Sequence, residues 1–307
     1  MNQSKYPLAL VINVLTAIAI GYVCFLGLNF YTLGDKMRSI IFSVVIIIFL
    51  IATSVGARQL KKTKRNCKRC RVMEWMLLIL FTLIVVGITY FPFSHYFGVT
   101  INKEEIQSKV LSNISHFEQL YDDYEKYVKQ RDSNYLRKLE NAVNYRLGDR
   151  SDFNCFGFDE QSGVSLQTQI STKHSVLKLI LIPANFKSLK SSDSVWLKDA
   201  QKSVENWEPI SLVDVINNIQ TNTSTSLNNL INISQKRAAC EDDLSFIFPN
   251  PSFPDVKNQF TTIGKPSPLS ILISILGYVL MLLYWFITKR DSRCIGALKT
   301  AEYEVVL

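Results

Sequence analysis

The stretch RQLKKTKRNCKRCR, residues 58–71, decides how the rest of the chain is read. It carries eight bases, Arg58, Lys61, Lys62, Lys64, Arg65, Lys68, Arg69 and Arg71, and no acid. Long apolar runs flank it at residues 39–57 and 72–93. A short, purely basic loop between two membrane spans stays on the cytoplasmic side, because Lys and Arg close to span ends resist translocation. Placing that loop inside assigns a side to every other segment.

The chain has 307 residues, of which 48% are hydrophobic, and a formal net charge of +8. A basic balance of that size could suggest nucleic acid, so its distribution matters. Residues 96–265 hold 19 Lys and Arg against 21 Asp and Glu, a net of −2, and the remaining 15 bases and 5 acids give +10. The excess therefore sits beside the apolar runs. A near-neutral large domain gains little from releasing counterions, so no nucleic-acid partner is expected. Anionic lipid headgroups are the expected partner of the bases, at roughly 1 kcal/mol per residue close to the surface.

Four runs are long enough to cross a hydrocarbon core of about 30 Å: 8–30, 39–57, 72–93 and 268–288. The first is read as a retained span, because a cleavable signal has a shorter apolar core ending in small residues. Within it, Ala17 and Gly21 either admit a second helix at close range or face lipid. Trp75 and Trp285 near one end of their runs, and Phe91, Phe93 and Tyr96 near the other, suit the two interfaces. A second basic cluster, Lys289, Arg290 and Arg293, follows the last run. Both clusters give the same topology, with N- and C-termini cytoplasmic and residues 96–265 across the inner (cytoplasmic) membrane. The runs are read as free of ionisable side chains, which argues against an ion path and casts them as anchors and packing surfaces.

The segment 96–265 reads as a mainly α-helical extracytoplasmic domain. From residue 102 to 147, apolar or aromatic residues recur at spacings of three and four, among them Ile106, Val110, Phe117, Tyr121, Tyr124, Val128, Tyr135 and Leu139. That predicts one long amphipathic helix, or two in line. Arg131 occupies an apolar position of this stripe, and the expectation is a packed stem with its head in water rather than a buried ion pair. Residues 148–163 read as a loop. Residues 164–182 fit either a helix or a buried strand, and the helix is preferred because nothing breaks the pattern before Pro183. His174 on that stripe is expected to be a satisfied core residue. Asp193 is expected to cap a helix that places Trp196 and Trp207 on one face. Ser211 and Asp214 suggest a capping box for the next helix. Its middle, residues 221–226, is a poor helix former, so a frayed or kinked centre is expected. Trp196, Trp207, Tyr121 and Tyr124 are the candidates for a partner or packing face.

Cys155 and Cys240 alone among the six cysteines fall in the domain, and an oxidising compartment would let them pair if the fold brings them together. Cys67 and Cys70 have half-site spacing for zinc, but one such pair with no histidine on its side reads as reduced thiols. No metal or cofactor is expected. The chain has no GxSxG, HExxH, phosphate loop or dinucleotide fingerprint, so no catalytic residue is assigned and an enzyme is not expected. Asn113, Asn222 and Asn232 begin Asn-x-Ser/Thr tripeptides, which matter only in a eukaryotic secretory pathway.

Three spans, a helical outer domain and one closing span, together with the tenor of DSVWLK at 193–198 and VENW at 204–207, resemble TssN. That family supplies a small inner-membrane component of the Bacteroidetes type VI secretion apparatus. The resemblance implies a non-enzymatic subunit of an envelope complex whose periplasmic domain binds sister subunits, in homo- or hetero-oligomeric form. The competing expectation is a sensor whose outer domain binds a ligand and signals through a partner protein.

Overall fold

A computed structural model describes residues 7–63, 67–241, 246–248 and 256–290. The chain is mostly helical, with no strand among the described residues. The helices are α1 (Pro7–Tyr31), α2 (Lys36–Lys62), α3 (Cys67–Ile88), α4 (Ser94–Ile101), α5 (Lys103–Asn144) and α6 (Ser151–Cys155). They continue with α7 (Leu166–Leu181), α8 (Ala184–Glu205), α9 (Pro209–Ser234), α10 (Lys257–Thr261) and α11 (Pro268–Ile287). The chain divides into two compact units, one of Met1–Ile106 with Val256–Leu307, the other of Gln107–Asp255.

The first unit holds four helices long and apolar enough to cross a membrane, over Leu8–Tyr31, Lys36–Lys62, Lys68–Ile101 and Pro268–Ile287. The third is longer than the run at 72–93 because the helix resumes beyond Pro92. Phe91 is extended (φ −159°, ψ 134°), the conformation the following proline favours, and Thr89–Phe93 forms a wide bent turn between α3 and α4. Gly27 of α1 meets that bend, where a Cβ would lie 2.2 Å from the Pro92 carbonyl oxygen. Only a residue without a side chain fits there. The link from α1 to α2 is equally local. Leu33 and Gly34 take positive φ, the Gly34 N–H closes on the Asn29 carbonyl at 2.9 Å, and the Asp35 carboxylate caps α2 by accepting from the Arg38 N–H at 3.1 Å.

Ala17 is fully buried, and a Cβ on Gly21 would strike Ile47 of α2 at 2.2 Å, so of the two readings of this small pair close helix packing is the one realised. Asn13 is buried beside them. Its amide donates to the Ser54 hydroxyl (3.1 Å) and to the Met281 carbonyl (2.5 Å), which joins α1, α2 and α11 at one level. The expectation that the runs lack ionisable groups fails at Glu74, three residues into the third run and 1% exposed.

In the second unit, α5 is one uninterrupted helix of 42 residues. Its stripe, Val110, Phe117, Leu120, Tyr124 and Leu139 among others, is buried. Residues 166–181 are helical, with Ile170, Leu177 and Leu181 buried. Four local expectations are corrected. Asp193 caps nothing, because α8 starts nine residues earlier, directly after Pro183. α9 starts at Pro209, whose missing N–H costs nothing in a first turn, so Ser211 lies inside the helix and donates to Glu208 at 3.1 Å. α9 also runs unbroken through 221–226: Thr223 is buried and returns its hydroxyl to the Ile219 carbonyl at 2.8 Å, so tertiary packing overrides weak propensity. Trp207 falls beyond α8 with φ +51° and does not share a helical face with Trp196.

Candidate functional site

Two side-chain clusters stand out, one in each unit. In the first unit, the end of α11 is gripped by residues of α2 and α3. The Lys61 ammonium donates to the Trp285 carbonyl (2.9 Å) and lies 4.0 Å from the centre of its ring. Arg58 covers the Tyr284 ring at 3.3 Å and donates to the Thr288 hydroxyl at 3.2 Å. Cations here satisfy and complement the unpaired carbonyls at a helix C-terminus, and the aromatic faces add to the attraction. Glu74 accepts from the Trp285 indole N–H (2.9 Å) and from the Arg290 guanidinium (2.5 Å). A buried carboxylate so placed would be costly unless paired, and it is paired. Arg58 and Lys61 are therefore half-buried structural grips, whereas Lys62, Lys68, Arg69 and Arg71 are exposed. Lys64 and Arg65 lie outside the described residues. Sequence reasoning missed Glu74, although a lone acid inside an apolar run was there to be seen, and read Arg290 only as part of the second basic cluster.

In the second unit the expectation for Arg131 is overturned. It is 2% exposed, and its guanidinium forms an ion pair with Glu241 and donates to the carbonyls of Ser234 (2.5 Å) and Lys236 (2.6 Å) and to the Tyr127 hydroxyl (2.8 Å). Burial opposes its charge, but the hydrogen bond and charge of Glu241, with help from Tyr127, outweigh that and push its pKa up. Arg131 thus closes the free end of α9 and fixes the chain that follows. Cys240, next to Glu241, is joined to Cys155 by a disulfide with 5.8 Å between Cα atoms.

Tyr121 and Tyr124 are buried and present no partner face. The Tyr121 hydroxyl and the Ser226 hydroxyl both donate to one oxygen of Asp193, each at 2.5 Å, which ties α5, α8 and α9 together. Tyr124 donates to the Leu181 carbonyl at 3.0 Å. Burial pushes both phenols up, assisted at Tyr121 by Asp193. Trp196 is half-buried, 6.1 Å from the Phe117 ring, and Trp207 is half-buried. His174 is satisfied by Asp132 at 2.7 Å. Asn113 is buried, which leaves its amide inaccessible to a glycosyl transferase in the folded chain.

Among the described residues no three His, Cys, Asp or Glu side chains come together as a metal site. Cys70 is half-buried; the Cys67 side chain, Cys294 and the C-terminal residues 302–307 lie outside what the structure describes. Comparison with protein-family models, with curated proteins and with solved structures returns no match. The polar groups of both clusters face other groups of the same unit, so what they do chemically is hold helices in place.

Proposed function

We propose that this chain is a multi-pass subunit of the cytoplasmic membrane that anchors and scaffolds a multi-protein envelope assembly without catalysing a reaction. Both termini are cytoplasmic, and the second unit stands on the far side, where it binds partner subunits. A type VI secretion assembly is the version that the resemblance to TssN suggests.

The observation that carries this reading is the convergence of the two basic segments. Arg58 and Lys61 from one, and Arg290 from the other, meet at one end of the helical bundle around Trp285 and Glu74, more than 200 residues apart in sequence. Two clusters that independently resist translocation then lie at the same membrane face. The scaffold role is supported by the second unit, whose buried polar side chains serve its own helix contacts. On α7 it leaves Val176 and Leu179 exposed, with Ile182 exposed directly after the helix. The test is purification of the full-length chain in mild detergent from its native host. A scaffold brings envelope proteins in fixed stoichiometry and loses them with Leu179→Glu. A chain recovered as a clean monomer in both forms sinks the proposal.

A further inference from the structure

The bent third helix and the α10–α11 segment of the first unit line a cleft of two chambers, which share no lining residue and adjoin at Lys265–Pro266. One wall carries Thr82, Val86 and Tyr90 before Pro92 and Ser94, Gly98 and Asn102 after it, a stripe interrupted by the extended Phe91. Facing it are Ser274 and Tyr278 of α11 below, Pro266 at the join, and Lys265, Gly264 and Thr262 above. The lower chamber, about 500 Å³, is apolar: the Thr89 hydroxyl turns back to the Val85 carbonyl at 2.7 Å, and a Thr82–Tyr278 hydrogen bond of 3.1 Å crosses the stripe at its lowest residue. The upper chamber, about 380 Å³, is the more polar of the two, with Ser94, Asn102, Gln259, Thr262 and Lys265 in its lining. It holds an exposed ammonium, Lys265, which has no ion-pair partner among the described residues. A Cβ on Gly98 or Gly264 would meet nothing within 4 Å, so both glycines border open space.

We propose that this cleft binds one glycerophospholipid, with the phosphate at Lys265 in the upper chamber and an acyl chain along the lower one. The proposal rests on the membrane reading above. An amphiphile is the chemistry that fits an apolar chamber beside a more polar one that carries an ammonium. A partner helix is a poor fit, since it is about 10–12 Å across. Recognition of the phosphate by the Lys265 ammonium distinguishes a seated lipid from those that merely surround the protein.

Native mass spectrometry of the full-length chain in detergent tests this, with dioleoyl-phosphatidylglycerol, glycerol 3-phosphate and dioleoylglycerol as the three probes. One phosphatidylglycerol per chain should survive detergent exchange, with the other two binding at least about tenfold more weakly. Lys265→Ala, at an exposed linker position, should weaken it about fivefold, and Gly98→Leu, which fills the open chamber, should abolish it. Equal binding of glycerol 3-phosphate makes this a soluble-phosphate pocket, and equal binding of dioleoylglycerol removes the role of Lys265; either overturns the proposal. So does phosphatidylglycerol that binds the Lys265→Ala variant as tightly as the unaltered chain. A chain found in the membrane fraction with no lipid retained overturns the site alone, whereas a chain found in the soluble fraction overturns the anchor reading as well.

Discussion

Replacing Arg131 by Leu removes the guanidinium that serves Glu241, the Ser234 and Lys236 carbonyls and the Tyr127 hydroxyl at once. The Glu241 side chain is 4% exposed, so the variant leaves a buried carboxylate without its counter-charge and two carbonyls without a donor. Breaking a buried pair from one side costs about 3–5 kcal/mol. For a unit of this size each kcal/mol is worth roughly 2–4 °C in melting temperature, so the fall should be roughly 6–20 °C. Glu241→Leu should cost a similar amount, but the double variant Arg131→Leu/Glu241→Leu should cost much less than the two together, because no buried charge is left unpaired. The assay is thermal unfolding in detergent followed by tryptophan fluorescence, in a Trp75→Phe/Trp285→Phe background in which Trp196 and Trp207 report on the second unit alone. A fall below about 1 kcal/mol for Arg131→Leu, or full additivity in the double variant, would refute the pair and restore an arginine whose head reaches water.

Other perturbations probe other joints. Asn13→Leu removes the two hydrogen bonds that hold α1 to α2 and α11, and should lower the stability of the first unit by about 0.6–1.7 kcal/mol in a detergent unfolding titration. Gly27→Leu should prevent α1 from seating against the Pro92 bend, read as loss of monodisperse protein in size-exclusion chromatography, whereas Gly98→Leu, with open space around it, should not. The raised phenols of Tyr121 and Tyr124 set an alkaline limit. A native pKa above the unfolded value of about 10 means that the unfolded chain loses its proton first, so stability is complete below about pH 10 and falls as pH rises beyond it. Tyr121→Phe should flatten that fall between about pH 10 and 12; an unchanged slope would contradict the burial of this hydroxyl.

The helical course of the chain was legible because periodicity is local. Stripes at three and four placed α5 correctly, and apolar runs placed four helices whose length and composition suit a membrane. What failed depended on partners far along the chain. Nothing near Arg131 marks Glu241, 110 residues away, as its counter-ion, so the solvated arginine was the natural expectation. Asp193 looks like a cap in isolation; its service to Tyr121 and Ser226 exists only once α5, α8 and α9 have packed. Weak propensity at 221–226 was outweighed for the same reason, by burial of Thr223 and Ser226. Glu74 differs from these, since it was visible in the sequence as an acid in an apolar run, although its bonds to Trp285 and Arg290 were not.

The side of the membrane at which the basic segment 58–71 lies decides the side of every other segment. Single cysteines at Lys62→Cys and Lys187→Cys, both exposed positions, can be compared in intact cells with Cys67, Cys70 and Cys294 replaced by serine. A membrane-impermeant maleimide should label the cysteine at 187 and reach the one at 62 only after lysis. Labelling at 62 in intact cells, with 187 protected until lysis, would invert the topology and remove the basis for the scaffold reading.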